Sequence, residues 1–254
     1  MASLSKNKIK YIHSLEQKKI RREERVFLAE GPKLTGDLLE HFPCRFLAAT
    51  SVWLQKHPDI HAGEIAEVSQ EELSRASLLK TPHQVRAVFD QPHYTLYPVV
   101  VHQPLCLALD DVQDPGNLGT IIRLADWFGI EHIICSQNTV DVYNPKTVQA
   151  TMGGIARVKV HYTSLPDFIR SLGDAPVFGT FLDGKNMYEQ PLSATGLIVM
   201  GNEGNGIGKE VETLINRKLY IPNYPQGQET SESLNVAIAT AVICAEFRRQ
   251  DAWK

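Results

Sequence analysis

Along the chain, short apolar runs alternate with stretches in which apolar residues fall at helical intervals, the pattern of strands separated by helices. Val26, Phe27, Leu28 and Ala29 form a run stopped by Glu30, Gly31 and Pro32, which predicts a first strand. Leu34, Leu38 and Leu39 then keep helical spacing, and further strands are expected at 45–49, 64–68 and 85–89 with helices at 52–57 and 71–79. Ahead of them, 9–25 reads as one surface helix, because Ile12, Leu15 and Ile20 are sparse among charges. This describes a small α/β domain over residues 1–93. Residues 91–98, with two prolines and no periodicity, mark its boundary.

From residue 99 the pattern is stronger. A strand at 106–110, a helix at 118–128 with Leu118, Ile121, Ile122, Ala125 and Phe128 on one stripe, and a strand at 130–135 imply a parallel sheet with a right-handed crossover. Asn144-Pro145 offers an N-cap with proline at the first helical position, opening a helix that ends at Gly153-Gly154. Strands at 156–161, 177–180, 197–201 and 218–221, helices at 165–172 and 208–216, and a last helix at 234–249 complete a second domain over 99–254.

Composition narrows the class. The chain has 254 residues, 43% hydrophobic and 22% charged, the profile of a soluble globular protein. Its most apolar stretch, 234–247, is interrupted by Asn235 and Glu246, so no membrane span is expected, and the charged segment after Lys10 does not read as a signal peptide. A cytoplasmic protein is expected. Cys44, Cys106, Cys135 and Cys244 are scattered with no CxxC pair, which predicts reduced thiols, no zinc and no metal. The net charge of −3 hides an asymmetry: residues 1–33 hold nine Lys or Arg against four Glu, leaving −8 on the remainder. Lys18, Lys19, Arg21, Arg22 and Arg25 are candidates for RNA phosphate contacts, against the plainer reading of a solvated helix.

Parallel sheets bind ligands where strands end and helices begin. Three such loops carry chemistry. Residues 110–119, DDVQDPGNLG, lead into the helix bearing Arg123, with Asn117 placed to cap it; by itself this is a capped helix with a surface arginine. Residues 198–209, IVMGNEGNGIGK, fail the phosphate-loop pattern, because Glu203 holds the first glycine position and Glu210 follows Lys209. Gly204-Asn205-Gly206-Ile207-Gly208 also fails the dinucleotide fingerprint, and an acidic Glu203 would repel phosphate. A cationic ligand without phosphate fits better. The third loop, IPNYP at 221–225 continuing through Thr230-Ser231-Glu232-Ser233 to LNVA at 234–237, opens the last helix, with Ser231 or Ser233 as N-cap.

Taken together in this order, DPGNLGTIIR at 114–123, IVMGNEGNGI at 198–207 and IPN with SLNVA at 221–223 and 233–237 resemble the signature of the SpoU (TrmH-like) RNA 2′-O-ribose methyltransferases of the SPOUT class. The resemblance covers roughly 99–250, and KKIRREERVFLAEGPKL near Lys18 is similar to the start of the small substrate-binding domain that many members carry. It implies an α/β fold with a carboxyl-terminal trefoil-knotted parallel-sheet methyltransferase domain, a homodimer, and S-adenosylmethionine as cofactor. It further implies methyl transfer to a ribose 2′-hydroxyl in structured RNA, ribosomal RNA before transfer RNA. The alternative within the same fold is an RNA-binding protein without transfer activity. By the same analogy Asn117, Arg123, Glu203, Ser233 and Asn235 serve catalysis, with Arg123 either a base or a stabiliser of negative charge. The cofactor would lie against Thr180, Phe181, Leu182, Gly201, Asn202, Gly204, Ile221 and Leu234. The sequence departs from the family in two places: the insert between Pro222 and Ser233 lets Ser231 compete with Ser233, and Ala237 stands where several members have Ser.

Overall fold

The computed structural model describes residues 4–79, 81–225, 228, 231 and 233–252, so Thr230 and Glu232 of the third loop lie outside the described residues. The chain groups into two units, Met1–His93 with Asp141–Ala156, and Tyr94–Val140 with Arg157–Lys254. The break between His93 and Tyr94 falls within the proline-bearing segment 91–98, but the division is not a single cut, because a later stretch returns to the first unit.

In the first unit α1 (Lys6–Ser14) and α2 (Lys18–Glu24) precede β1 (Val26–Glu30), α3 (Pro32–Leu39), β2 (Cys44–Ala49), α4 (Ser51–Gln55), β3 (Glu64–Glu67), α5 (Gln70–Ala76) and β4 (Val85–Asp90). The strands form a sheet ordered β1-β4-β2-β3, antiparallel except for β2 and β3. Alternation along the strands gives the sheet two apolar faces. Val26, Leu28, Phe46 and Val88 pack with Ile12, Leu15 and Leu73. On the other face Phe27 stacks on Phe89 at 5.5 Å and lies 5.1 Å from Tyr143 of the returning stretch.

Residues 9–25 are two helices, where the sequence predicts one. Buried Leu15 caps α1, and Arg21 from α2 reaches back so that Nη1 donates to the carbonyls of Leu15 and Glu16, both at 2.7 Å. Those carbonyls are therefore satisfied outside a continuous helix. The rest of the Arg21 guanidinium donates to the Asp141 carboxylate, Nε at 3.2 Å, and the residue is 1% exposed. This corrects its assignment to the phosphate-facing set: its donors are consumed internally. Lys18, Lys19, Arg22 and Arg25 remain exposed.

The second unit begins with β5 (Leu105–Leu109), α6 (Pro115–Trp127) and β6 (His132–Ser136). After α7 (Pro145–Ala150), which belongs to the first unit, it resumes with β7 (Lys159–Thr163), α8 (Leu165–Arg170), β8 (Val177–Asn186), β9 (Gly196–Met200), α9 (Lys209–Glu212), β10 (Arg217–Tyr220) and α10 (Val236–Ala252). Its six strands run in the order β10-β8-β9-β5-β6-β7 and every pairing is parallel. Leu107, Leu109, Cys135 and Ile198 are among the fully buried strand residues, as expected of a sheet covered on both faces. All four cysteines are buried thiols, and burial pushes Cys106 up to about 12.

Element bounds in this unit depart in places from the sequence reading. The helix expected at 208–216 stops at Glu212, because Asn216 turns the chain into β10 by accepting from the Val177 amide at 3.0 Å and donating to the Ala175 carbonyl at 3.1 Å. The strand expected at 156–161 starts at Lys159, since Gly154–Ala156 forms a 3₁₀ turn. On β6 and β7, His132 and His161 stack at 5.3 Å with Nδ1 and Nε2 at 3.1 Å, and the Tyr94 ring meets His161 edge-on at 6.2 Å. Burial, then the neighbouring His132 and Lys159, lowers His161 to about 4.

Candidate active site

Because every strand of the second sheet is parallel, all deliver their carboxyl ends to one edge. From β5 the chain steps outward to β6 and β7, then crosses to build β8, β9 and β10 on the other side of β5. The order therefore reverses between β5 and β9, and such a switch point opens a crevice at the carboxyl edge. The segments leaving those two strands are 110–114, which runs into the first turn of α6, and 201–208.

The first loop turns at Asp111, held at φ 60°. Its carboxyl end caps α6 through Asp114, which accepts the Asn117 amide at 2.7 Å, with Pro115 at the first helical position. The cap is thus Asp114 and not Asn117, which corrects the expectation from sequence. Placing Asn117 in the first turn frees its side chain to point across the crevice. Asn117 Nδ2 donates to Glu203 Oε1 at 2.7 Å, and Asn117 Oδ1 accepts from Asn235 Nδ2 at 3.0 Å.

The polarity of this chain is set by α10. Asn235 Oδ1 accepts the amides of Ala237 and Ile238 at 3.0 and 3.3 Å, so Asn235 is the N-cap where Ser231 or Ser233 was expected. With its oxygen committed to the helix, Asn235 has only Nδ2 to offer Asn117. Asn117 in turn has only Nδ2 to offer Glu203. One relay therefore ties all three loops together and fixes where the Glu203 carboxylate sits.

The glycine-bearing turn after β9 is tight. Asn202 and Gly206 exchange backbone hydrogen bonds at 2.9 and 3.0 Å, Asn202 Oδ1 accepts the amides of Gly204 and Asn205 at 2.8 and 3.0 Å, and Asn202 Nδ2 donates to the Asp111 carbonyl at 2.7 Å. Asn202 thus shapes the turn from inside. A Cβ on Gly201 would lie 2.2 Å from the backbone carbon of Gly206, so only glycine permits this approach.

On the far side, β8 continues to Asn186 where the sequence predicts an end at Thr180. Gly179 pairs with Lys218 and Lys185 with Leu219, leaving residues 180–184 as a bulge out of the ladder. Thr180 and Phe181 are half-buried there and Leu182 exposed, with Lys218 Nζ over the Phe181 ring at 4.4 Å. Ile221 follows β10 half-buried; Ser233, Leu234 and Gly204 are exposed.

Arg123 is not part of the relay. Six residues after Asn117, it points about 120° away around α6. It lies on an exposed stripe with Thr120 and Trp127, which is 84% exposed, and no hydrogen bond or ion pair holds its guanidinium among the described residues. Among those residues no cluster of three or more His, Cys, Asp or Glu is arranged to hold a metal ion. Among the described residues no helix is long and apolar enough to cross a membrane.

Sequence reasoning passed over Asp110, whose Oδ2 accepts the Gly208 amide at 2.8 Å, and Asp114. The signal for Asp114 was present: Asp before Pro is an N-cap followed by a preset first helical residue.

Comparison with known proteins fits this geometry. Residues 104–245 match the model of the SpoU rRNA Methylase family, and residues 6–87 that of an MRM3-like substrate binding domain. A 23S rRNA (guanosine(2553)-2′-O)-methyltransferase, RlmP of Bacillus subtilis (strain 168), is 30% identical over 250 residues, covering 97% of this chain and 98% of the relative. The solved structure of a TrmH-family protein from Porphyromonas gingivalis superposes with a TM-score of 0.89 at 44% identity over 98% of this chain and all of that one. An AdoMet-bound rRNA methyltransferase from Sinorhizobium meliloti superposes with a TM-score of 0.84 at 31% identity, covering 98% and 97%.

Proposed function

Since the chain belongs to the SpoU rRNA methylase family, we propose that it transfers the methyl group of S-adenosylmethionine to a ribose 2′-hydroxyl of ribosomal RNA. The observation that carries this reading is the relay from Asn235 through Asn117 to Glu203, which gathers three strand-end loops at the switch point of the sheet.

The residues present suit the cofactor. Gly201 lets the turn fold back against its own backbone at Gly206, the turn carries an acidic Glu203 that favours a cation, and Thr180, Phe181, Leu182, Ile221 and Leu234 offer apolar and polar surface for an adenosine. Gly204 and the Asn202-braced amides border the same turn. When bound, S-adenosylmethionine supplies a methyl group activated by its sulfonium.

This chain's own residues do the rest. Asn117 and Asn235 hold Glu203 in place and, with Ser233, orient ribose or phosphate by hydrogen bonds. A ribose hydroxyl is a weak nucleophile, and orientation at attack distance supplies much of the acceleration. Arg123 stabilises, through its guanidinium, negative charge growing on the ribose oxygen. Lys18, Lys19, Arg22 and Arg25 bind RNA phosphate, so that residues 1–93 select substrate and 99–254 carry the chemistry.

The protein works in the cytoplasm as a homodimer with its carboxyl-terminal segment threaded as a trefoil knot. The exposed Trp127 beside Arg123, with exposed Ile238 on α10 packed against α6, supports a covering subunit there.

The test is transfer of tritiated methyl from labelled cofactor to ribosomal RNA from cells lacking the protein, with mapping of 2′-O-methyl positions. One new modified ribose in rRNA is expected. Label appearing only in transfer RNA would move the substrate; RNA binding without transfer would leave a non-catalytic RNA-binding protein.

A further inference from the structure

We infer that Asp110 is a positioning residue for cofactor binding: its carboxylate latches the far end of the glycine-bearing turn to the end of β5. The inference rests on the functional reading above and assigns a residue that reading does not use.

Residues 201–208 leave β9 and double back on themselves through the Asn202–Gly206 backbone pair. A turn with three glycines within five residues, Gly204, Gly206 and Gly208, has many backbone conformations open to it when free. Two anchors on consecutive residues of β5's end remove that freedom. At the near end Asn202 Nδ2 donates to the Asp111 carbonyl at 2.7 Å. At the far end Asp110 Oδ2 accepts the Gly208 amide at 2.8 Å, just before α9 begins.

The anchors are themselves braced. The Asp110 amide continues the β5/β9 ladder by donating to the Met200 carbonyl at 2.9 Å. The Asp111 amide donates to Ser136 Oγ at 2.9 Å, Ser136 Oγ meets Thr139 Oγ1 at 3.0 Å, and Thr139 Oγ1 donates to the Leu109 carbonyl at 3.1 Å. Rigidity therefore passes from β6 to the first loop and then to both ends of the turn. A turn held in its ligand-binding shape before binding has less ordering entropy to lose, which appears as affinity. The methyl-transfer step, which depends on Arg123 and the relay, should be indifferent to it.

Asp110→Ala removes the acceptor, and Asp110→Asn keeps an acceptor oxygen without the charge. For Asp110→Ala we expect the Kd and KM for S-adenosylmethionine to rise about tenfold, as loss of a charged hydrogen bond implies, with kcat at saturating cofactor within about twofold. Asp110→Asn should stay within about threefold of wild type. Hydrogen exchange at the Gly208 amide in the cofactor-free protein should accelerate in Asp110→Ala only. Unchanged affinity and exchange in Asp110→Ala would overturn the inference, as would an equal loss in both variants, which would assign the effect to charge. If the wild-type protein binds no S-adenosylmethionine, the functional reading fails. Gly208 exchange then decides the latch alone.

Discussion

Asn117 on α6 donates an N–H to the Glu203 carboxylate at 2.7 Å, joining residues 86 positions apart. The carboxylate would otherwise hang from a glycine-bearing turn, free to rotate into solvent. Held by Asn117, which is in turn held by Asn235, it faces the crevice at a fixed point. Glu203→Gln keeps an oxygen that can accept this bond, whereas Glu203→Ala leaves Asn117 Nδ2 without this acceptor. Single-turnover methylation should fall by about 10- to 100-fold in Glu203→Ala, corresponding to roughly 1.5–3 kcal/mol for a hydrogen bond to a charged group, and much less in Glu203→Gln. Equal losses in the two would show that the charge and not the relay matters.

Arg123 stands outside the relay and outside the glycine-bearing turn. Arg123→Ala should therefore leave S-adenosylmethionine affinity measured by calorimetry nearly unchanged while methyl transfer to the cognate RNA drops by about 10²–10³, the scale seen when one stabilising donor is removed from a developing charge. Undiminished transfer would take Arg123 out of the chemistry.

The basic residues before β1 divide into two kinds. Charge removal at Lys18, Lys19, Arg22 and Arg25 should flatten the dependence of RNA affinity on salt, by about 0.7–0.9 in slope for each phosphate no longer neutralised, with the urea midpoint unmoved. Arg21→Ala should instead cost about 3 kcal/mol of stability in urea titration, because it removes the paired cation from the part-buried Asp141 carboxylate and the donor from the carbonyls of Leu15 and Glu16. An Arg21→Ala protein of full stability would contradict the burial described for that guanidinium.

The stacked pair His132 and His161 gives stability a pH dependence of definite sign. Folding lowers His161 to about 4, below the usual histidine value of about 6.5. Between those values the unfolded chain binds the extra proton. Stability is thus full above pH 6.5 and is lost as the pH falls toward 4, by about 1–2 kcal/mol between pH 7 and pH 5. Urea midpoints at the two pH values should show it, and His161→Phe should shrink the difference. An NMR titration placing His161 near its usual value would refute the argument.

The alternation of strands and helices was legible because both units bury apolar strands between helices, and each strand named from the pattern is present within a few residues. What the pattern could not supply was satisfaction of polar groups at a distance. The break between α1 and α2 depends on Arg21 meeting Leu15, Glu16 and Asp141. The bulge at 180–184 depends on where β10 pairs with β8. The site residues Asn117, Glu203 and Asn235 came from resemblance to a family; their order in a relay, and the caps Asp114 and Asn235, came from geometry. Arg21 was misassigned because charge in a sequence does not reveal which way a guanidinium faces.

The return of Asp141–Ala156 to the first unit has a consequence for synthesis. Tyr143, against Phe27, and Asp141, against Arg21, are translated after β5, α6 and β6. The amino-terminal unit therefore cannot close its interior when ribosomes have passed its last strand; it waits for about a third of the second unit to emerge, and removing the leading residues at position 93 leaves that late stretch without its host.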